Sequence, residues 1–272
     1  MTLYDRIQET TKFLQNRIKV QPTIGIILGS GLGGLEALVE SAESIAYSEI
    51  PHFPQSTVEG HAGRLIFGKL EGKQVVMMVG RFHYYEGYSQ EEVTFPVRVM
   101  KALGAKMLLV SNAAGGLNRS YEVGDIVLIK DHINLLPEHP LRGINDERLG
   151  LRFPDMSEPY DLPMIALAEK IALTQNLKLK TGVYAGVQGP TFETRAEYEW
   201  LRGIGADLVG MSTVAEVIVA IHGGMNVFGA SIVTDIGIRE ERNTITHYEV
   251  LEVANAAAPK LARLVKSLVE EL

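Results

Sequence analysis

"GIILGSGLGG", residues 25–34, is an apolar run that stops at a cluster of glycines holding one serine. Ile24 to Leu28 reads as a buried strand, and the glycines after it as a loop. Gly29, Gly31 and Gly34 satisfy G-x-G-x-x-G, the phosphate pattern of dinucleotide folds. That reading needs a helix directly after the glycines and a second strand ending in an acidic residue about 20 positions on. Glu49 has the spacing, but "IPHFPQ" follows it, and two prolines spoil a central strand. Three readings stand: a pyrophosphate loop, a loop for free phosphate, and a tight strand-to-helix turn without a ligand. Ser30 favours phosphate, because a hydroxyl among glycines can bond a phosphate oxygen beside free backbone N–H groups at a helix start.

Working outward, the 272 residues suit one large α/β domain over 1–272, with no composition break that would mark a linker. Hydrophobic residues make up 46% and charged residues 22%, an ordinary globular composition. The net charge of −7 argues against a broad nucleic-acid surface. With no cysteine, disulfides and thiolate zinc sites are excluded. No apolar core follows the charges of "MTLYDRIQETTKFLQNRI", so no signal peptide is expected. No apolar run approaches the roughly 18 residues of a membrane span. The expectation is a cytoplasmic protein with no membrane partner.

Tyr4, Ile7, Leu14 and Ile18 predict an opening amphipathic helix. Short apolar runs then read as strands: "TIGIIL", "RLIFG", "QVVMMVG", "KMLLVSN", "DIVLI", "TGVYAGV", "DLVGM" and "NVFGASIVT". "EEVTFPVRVMKALG", "AEYEWLRGIG" and "VAEVIVAIHGG" read as helices that stop at glycine. A last helix runs from Tyr248 to Leu272, where Pro259 is expected to kink or break it. Strands alternating with helices predict an α/β sheet covered on both faces. Residues 134–163 hold five prolines and little periodicity, which predicts a long functional loop.

Several strand ends carry small or polar residues. "MLLVSNAAGG" ends in Asn112, Ala113 and Gly115, and "DLVGMS" in Met211 and Ser212. Thr213 with Glu216, and Thr194 with Glu197, match the capping-box spacing, so Ser212 and Glu193 are each expected at the mouth of a helix. In open α/β sheets ligands bind outside the carboxyl ends of the strands. "GRFHYYEGY", residues 80–88, follows a buried strand. If it stays extended, Arg81, His83 and Tyr85 point to one side. Arg81 can fork two oxygens of a phosphate, His83 can donate or carry charge, and Tyr85 offers a flat ring and a hydroxyl to a sugar. His132, His139 and His222 are scattered without ligand spacing, so no metal site is expected.

"GSGLGG", "TVEGHAGRL", "GRFHYYEGY", "TFPVRV", "NAAGGLN", "GDIVLIKDHINL", "SEPYD", "GPTFET" and "VGMSTVAEVIVA" follow one another in this order. Taken together, from about residue 20 to 255, they resemble the trimeric purine nucleoside phosphorylases. The resemblance implies a distorted mixed β-sheet, partly barrel-like and flanked by helices, not a dinucleotide fold. It implies cleavage of purine nucleosides by inorganic phosphate as co-substrate, without cofactor or metal, in a homotrimer that serves purine salvage. The phosphate site would be Ser30, Arg81, His83, Ala113 and Ser212. The ribose site would be Tyr85, Met211 and His247, with Phe153 lent by a neighbouring subunit. The base site would be Phe192, Glu193 and Asp235. His61 lies in a stretch that resembles the family's flap.

Asp235 departs from the pattern. The 6-oxopurine enzymes carry asparagine after this strand, able to accept and to donate; an ionised aspartate only accepts. It would repel O6 of hypoxanthine or guanine and accept from the 6-amino group of adenine or a protonated N7. Methylthioadenosine phosphorylases place an aspartate in this region but lack the glutamate seen here as Glu193. Burial and the neighbouring Glu193 would both favour a neutral Asp235. The expected mechanism sets phosphate below C1′ as nucleophile, positioned by Arg81, His83 and the two serines, with Asp235 or a nearby water helping N7 take a proton. His83, Glu193 and Asp235 are the expected catalytic trio. Inosine and guanosine are the first-choice substrates, and adenosine or methylthioadenosine the alternative. An NAD-dependent oxidoreductase and a non-catalytic purine sensor are the remote rivals.

Overall fold

The computed structural model describes residues 1–29, 34–55, 63–238 and 245–272. Ser30 and His61 therefore lie outside the described residues. Strands β1 (Ile24–Leu28), β2 (Glu40–Ala46), β3 (Arg64–Leu70), β4 (Lys73–Val79), β5 (Met107–Gly116), β6 (Ile126–Asn134), β7 (Leu179–Gly186), β8 (Leu208–Gly210) and β9 (Asn226–Ile236) form one mixed sheet. Helices α1 (Leu3–Gln15), α2 (Gln90–Leu103), α3 (Leu162–Thr174), α4 (Arg195–Gly203), α5 (Val214–His222) and α6 (His247–Glu271) accompany it.

The strand order is β2-β3-β4-β1-β5-β8-β7-β6-β9, and β9 pairs back onto β5. Five strands thus close into a small barrel, and β1 to β4 extend from it as an open wing. The expected partly barrel-like mixed sheet is what the chain forms. Every residue of β1 is buried, because β4 and β5 flank it in parallel and both its faces are covered. Strand β2 carries exposed Glu40 and half-buried Glu43 at the opposite margin, which suits an edge.

This topology disposes of the dinucleotide reading. After the glycine loop the chain makes a short 3-10 turn, Leu35–Leu38, and enters β2, which pairs antiparallel with β3. A dinucleotide unit would cross by a helix to a parallel neighbour of β1. Glu49 sits in a surface turn and pairs with Arg17 at 2.9 Å. Gly29 has a different reason to be glycine. A Cβ there would lie 2.4 Å from the Ser111 carbonyl oxygen and 2.6 Å from Nη1 of Arg81.

Most predicted elements form, with differences that have local causes. The opening helix stops at Gln15. The irregular excursion ends at Asp161, whose side chain accepts from the Met164 N–H and starts α3 two residues before the expected end. Helix α6 runs unbroken through Pro259, which is exposed, while Ala254, Ala258, Leu261 and Leu268 hold the helix to the core.

Candidate active site

The ends of β4, β5, β8 and β9 open into one cleft of about 690 Å³, mouth included. That size suits a small-molecule site. Arg81, His83, Tyr85, Ala113, Phe192, Glu193, Met211, Ser212, Asp235 and His247 all line it. The nominated residues come from six separate stretches of sequence, and the fold brings them together. Phe153 does not line the cleft: it is 87% exposed on the long loop, with the Arg152 guanidinium 5.7 Å from its ring centroid.

One end of the cleft gathers Arg81, His83 and Ser212. Arg81 is 2% exposed, and its bidentate edge is taken by Glu216: Nε to Oε1 at 3.1 Å, Nη2 to Oε2 at 2.7 Å. The Nε/Nη2 edge of Arg81, one of its two forks, is thus engaged by a carboxylate, which compensates the charge of a buried guanidinium. Nη1 donates to the Ser111 carbonyl at 2.6 Å and to Oγ of Ser212 at 3.2 Å. Through Nη1, Arg81 thus orients the Ser212 hydroxyl at the cleft.

The Thr213–Glu216 capping box does not form either. Thr213 makes no side-chain cap, since Glu216 has turned to Arg81. Thr213 instead adopts φ 72°, ψ −53°, and the Val214 N–H donates to the Ser212 carbonyl at 2.8 Å. This is the strained γ-turn, rare for a β-branched residue. Asn112 Nδ2 donates to the Thr213 hydroxyl at 2.8 Å and holds it from β5. By contrast, the Thr194–Glu197 box is complete and starts α4.

His83 faces Glu86, whose Oε1 lies 2.8 Å from both its Nδ1 and its backbone N. A carboxylate only accepts, so Nδ1 carries the proton and Nε2 is the accepting edge. Burial holds the His83 pKa below the usual imidazole value, against the pull of Glu86. The Tyr85 ring stacks on His83 at 4.7 Å and 15°. It does so from a 3-10 turn, Tyr84–Glu86, rather than from the extended chain that was expected.

The opposite end is acidic. Burial raises the Glu193 pKa, and the charge of Asp235 adds to it, while the Tyr198 hydroxyl donates toward the carboxylate and opposes both. Asp235 is 8% exposed and its Oδ1 accepts from Thr234 at 3.2 Å. Gly189 lets the loop before Phe192 pass close to Met211: its φ is +69°, and a Cβ would stand 2.4 Å from Sδ of Met211. Sequence reading missed Tyr198, Glu86 and the role of Glu216. Tyr198 sits where an ordinary apolar face of α4 would, so no local signal marks it. Glu86 three residues after His83 was a usable signal.

Among the described residues no group of His, Asp and Glu could hold a metal ion. No helix of the described residues is long and apolar enough to cross a membrane.

A cleft at the strand ends of a small barrel, with a guanidinium, an imidazole and a hydroxyl at one end and two carboxyl groups at the other, is the kind of site a phosphate-using glycosyl transfer requires. The model of the phosphorylase superfamily matches residues 23–270. Purine nucleoside phosphorylase 1 of Geobacillus stearothermophilus is 51% identical, over 98% of this chain and 97% of its own length. The purine nucleoside phosphorylase of Rattus norvegicus is 52% identical, over 99% and 96%. The Schistosoma mansoni enzyme crystallised with inosine superposes with a TM-score of 0.94 at 44% identity, covering 100% of this chain and 98% of that one. The chain belongs to the purine nucleoside phosphorylase family.

Proposed function

We infer that this protein catalyses the phosphorolysis of purine nucleosides. Phosphate attacks C1′, the C1′–N9 bond breaks, and ribose 1-phosphate (or its deoxy analogue) and the free base leave. The carrying observation is the two-ended cleft, in which the Arg81–Ser212–His83 cluster and the Glu193–Asp235 pair line one cavity. In this reading phosphate is held by Ser30, Arg81, Ser212, the backbone at Ala113 and His83, whose Nε2 accepts from the P–OH of monohydrogen phosphate. Tyr85, Met211 and His247 hold the sugar, and Phe192, Glu193 and Asp235 the base. Holding phosphate and sugar in line removes much of the entropic barrier. Negative charge on phosphate steadies the oxocarbenium-like sugar, and Glu193 and Asp235 take up the hydrogen bonds of the departing purine.

The chain works as one domain and needs no cofactor; phosphate is a co-substrate. The exposed Phe153 fits a homotrimer in which each subunit lends this ring to a neighbour's sugar site. The compartment in this reading is the cytoplasm, and neither nucleic acid nor membrane is a partner. Inosine and guanosine are the preferred substrates when Asp235 is neutral. A second reading, preference for adenosine or methylthioadenosine, rests on Asp235 being an ionised acceptor near the base.

The test is release of free base from inosine, guanosine, adenosine and methylthioadenosine, each with and without phosphate. Phosphate-dependent release of hypoxanthine and guanine supports the first reading, and release of adenine the second. No release from any nucleoside would refute both.

A further inference from the structure

Arg98 of α2 lies against His222, the last residue of α5, and both are 7% exposed. Its only hydrogen-bonded side chain among the described residues is that imidazole, Nη1 to Nδ1 at 3.4 Å. Nε of Arg98 is buried and has no hydrogen-bond partner. His222 supplies no charge. Burial, the Arg98 guanidinium and the accepting role of Nδ1 all favour its neutral form. A guanidinium this buried is ordinarily matched by an anion, because desolvating it alone is costly. No carboxylate among the described residues does so. Glu91, the acid whose charge reaches Arg98, is paired with Arg6, and Asp146 is paired with Arg148. Glu147, a third acid at the cavity, is exposed.

Arg98 and His222 line a cavity of about 1110 Å³, mouth included, that shares no residue with the substrate cleft. Its other walls are the start of α1 at Thr2 and Leu3 and the loop from Pro140 to Leu149. Arg142 of that loop makes no ion pair among the described residues and stands at its rim.

We propose that this cavity is a second oxyanion site, in which Arg98 holds a phosphate group apart from the substrate cleft. The phosphate group can come from free phosphate or from a sugar phosphate. Nε is shut off from the cavity, so the guanidinium offers Nη2–H to it, as one charge-assisted hydrogen bond. Neutral His222 holds Nη1 and so sets the direction of the guanidinium.

The experiment is equilibrium dialysis of the whole protein against radiolabelled inorganic phosphate, with Arg98→Met as the variant and circular dichroism as a check of its fold. The wild type should bind two phosphates per chain and Arg98→Met one, with phosphorolysis of inosine retained in the variant. An equal count in both proteins overturns the proposal. If Arg98→Met does not fold, the wild-type count decides: two per chain supports the site and one overturns it. Competition at the Arg98 site by ribose 5-phosphate would identify a sugar phosphate as its occupant. Without competition the site takes free phosphate. Because Arg98 is remote from the cleft, loss of phosphorolysis with an unchanged phosphate count would count against this site and not against the proposed activity.

Discussion

Arg81 and Glu216 meet edge to edge, Nε to Oε1 at 3.1 Å and Nη2 to Oε2 at 2.7 Å, with 2% and 3% of their side chains exposed. The pair joins the end of β4 to the first turn of α5 and so fixes Ser212 between them. Glu216→Ala leaves a buried guanidinium without its anion, at a cost of about 3–5 kcal/mol. Arg81→Ala should cost a similar amount and lower phosphorolysis by orders of magnitude. The double variant should lose less than the sum, which urea unfolding of all four proteins measures. Additive losses would mean that the two side chains do not depend on one another.

The γ-turn at Thr213 stores strain of about 1–3 kcal/mol. Thr213→Gly relieves it but removes the hydroxyl that accepts from Asn112, a loss of about 0.5–1.5 kcal/mol. The two effects oppose, so stability should stay within about 1 kcal/mol of wild type. Ser212 loses its fixed direction, so the KM for phosphate should rise at least about tenfold. A large stability change with an unaltered KM would assign Thr213 a purely structural role.

Much of this site is legible in the sequence because strand ends are local. The buried run "QVVMMV" predicts that Arg81, His83 and Tyr85 leave a sheet together, and all three reach the cleft. The Arg81–Glu216 pair is not legible, since 135 residues separate the partners and only the barrel brings them together. Worse, Thr213 and Glu216 have capping-box spacing, and that local pattern lost to a buried charge. In α6 the reverse holds for Pro259, where a local breaker is overridden by apolar residues packed on the core.

Buried histidines give the stability a pH dependence. Burial lowers the pKa of His83, His132 and His222 from the ordinary 6.5. Below pH 6.5 the unfolded chain binds protons that the folded chain refuses, so folding stability is lost as pH falls from there toward the lowered values. The urea midpoint should drop as pH falls below 6.5. His132→Gln, outside the cleft, should flatten part of that fall. A midpoint that stays level across this range would contradict the neutral folded state of these rings.

Glu193 has the opposite sign. Its pKa is raised above the ordinary 4.5, first by burial and then by Asp235. The folded chain favours the protonated acid, so stability is greatest below pH 4.5 and is lost as pH rises through the raised value. Glu193→Gln should therefore be more stable than wild type near neutrality and no more stable below pH 4.5, by urea unfolding. It should also lower kcat by about a hundredfold to a thousandfold, as removal of one oriented charge-stabilising group does. Near-normal turnover would remove Glu193 from the base site.

If Asp235 meets the purine, its ionisation sets which base is accepted. An ionised carboxylate only accepts hydrogen bonds, so it matches a 6-amino group and repels a 6-oxo group; an amide can donate to O6. Its neighbours pull both ways: Glu193 across the cleft favours a neutral Asp235, and the Thr234 hydroxyl donates to its Oδ1 and favours the charged form. One hydrogen bond gained or left unpaired in a buried site is worth about 1–3 kcal/mol. Asp235→Asn should therefore raise kcat/KM for inosine relative to adenosine by about tenfold to a hundredfold if the wild-type carboxyl is ionised. If wild type carries a proton there, it already donates to O6, and the same substitution should leave the ratio within a few-fold. Measuring that ratio for both proteins from pH 5 to 9 separates the cases: an ionised Asp235 regains inosine preference toward acid pH, whereas the asparagine variant has no such dependence. A ratio that is the same in the two proteins and flat with pH would show that Asp235 does not touch the base.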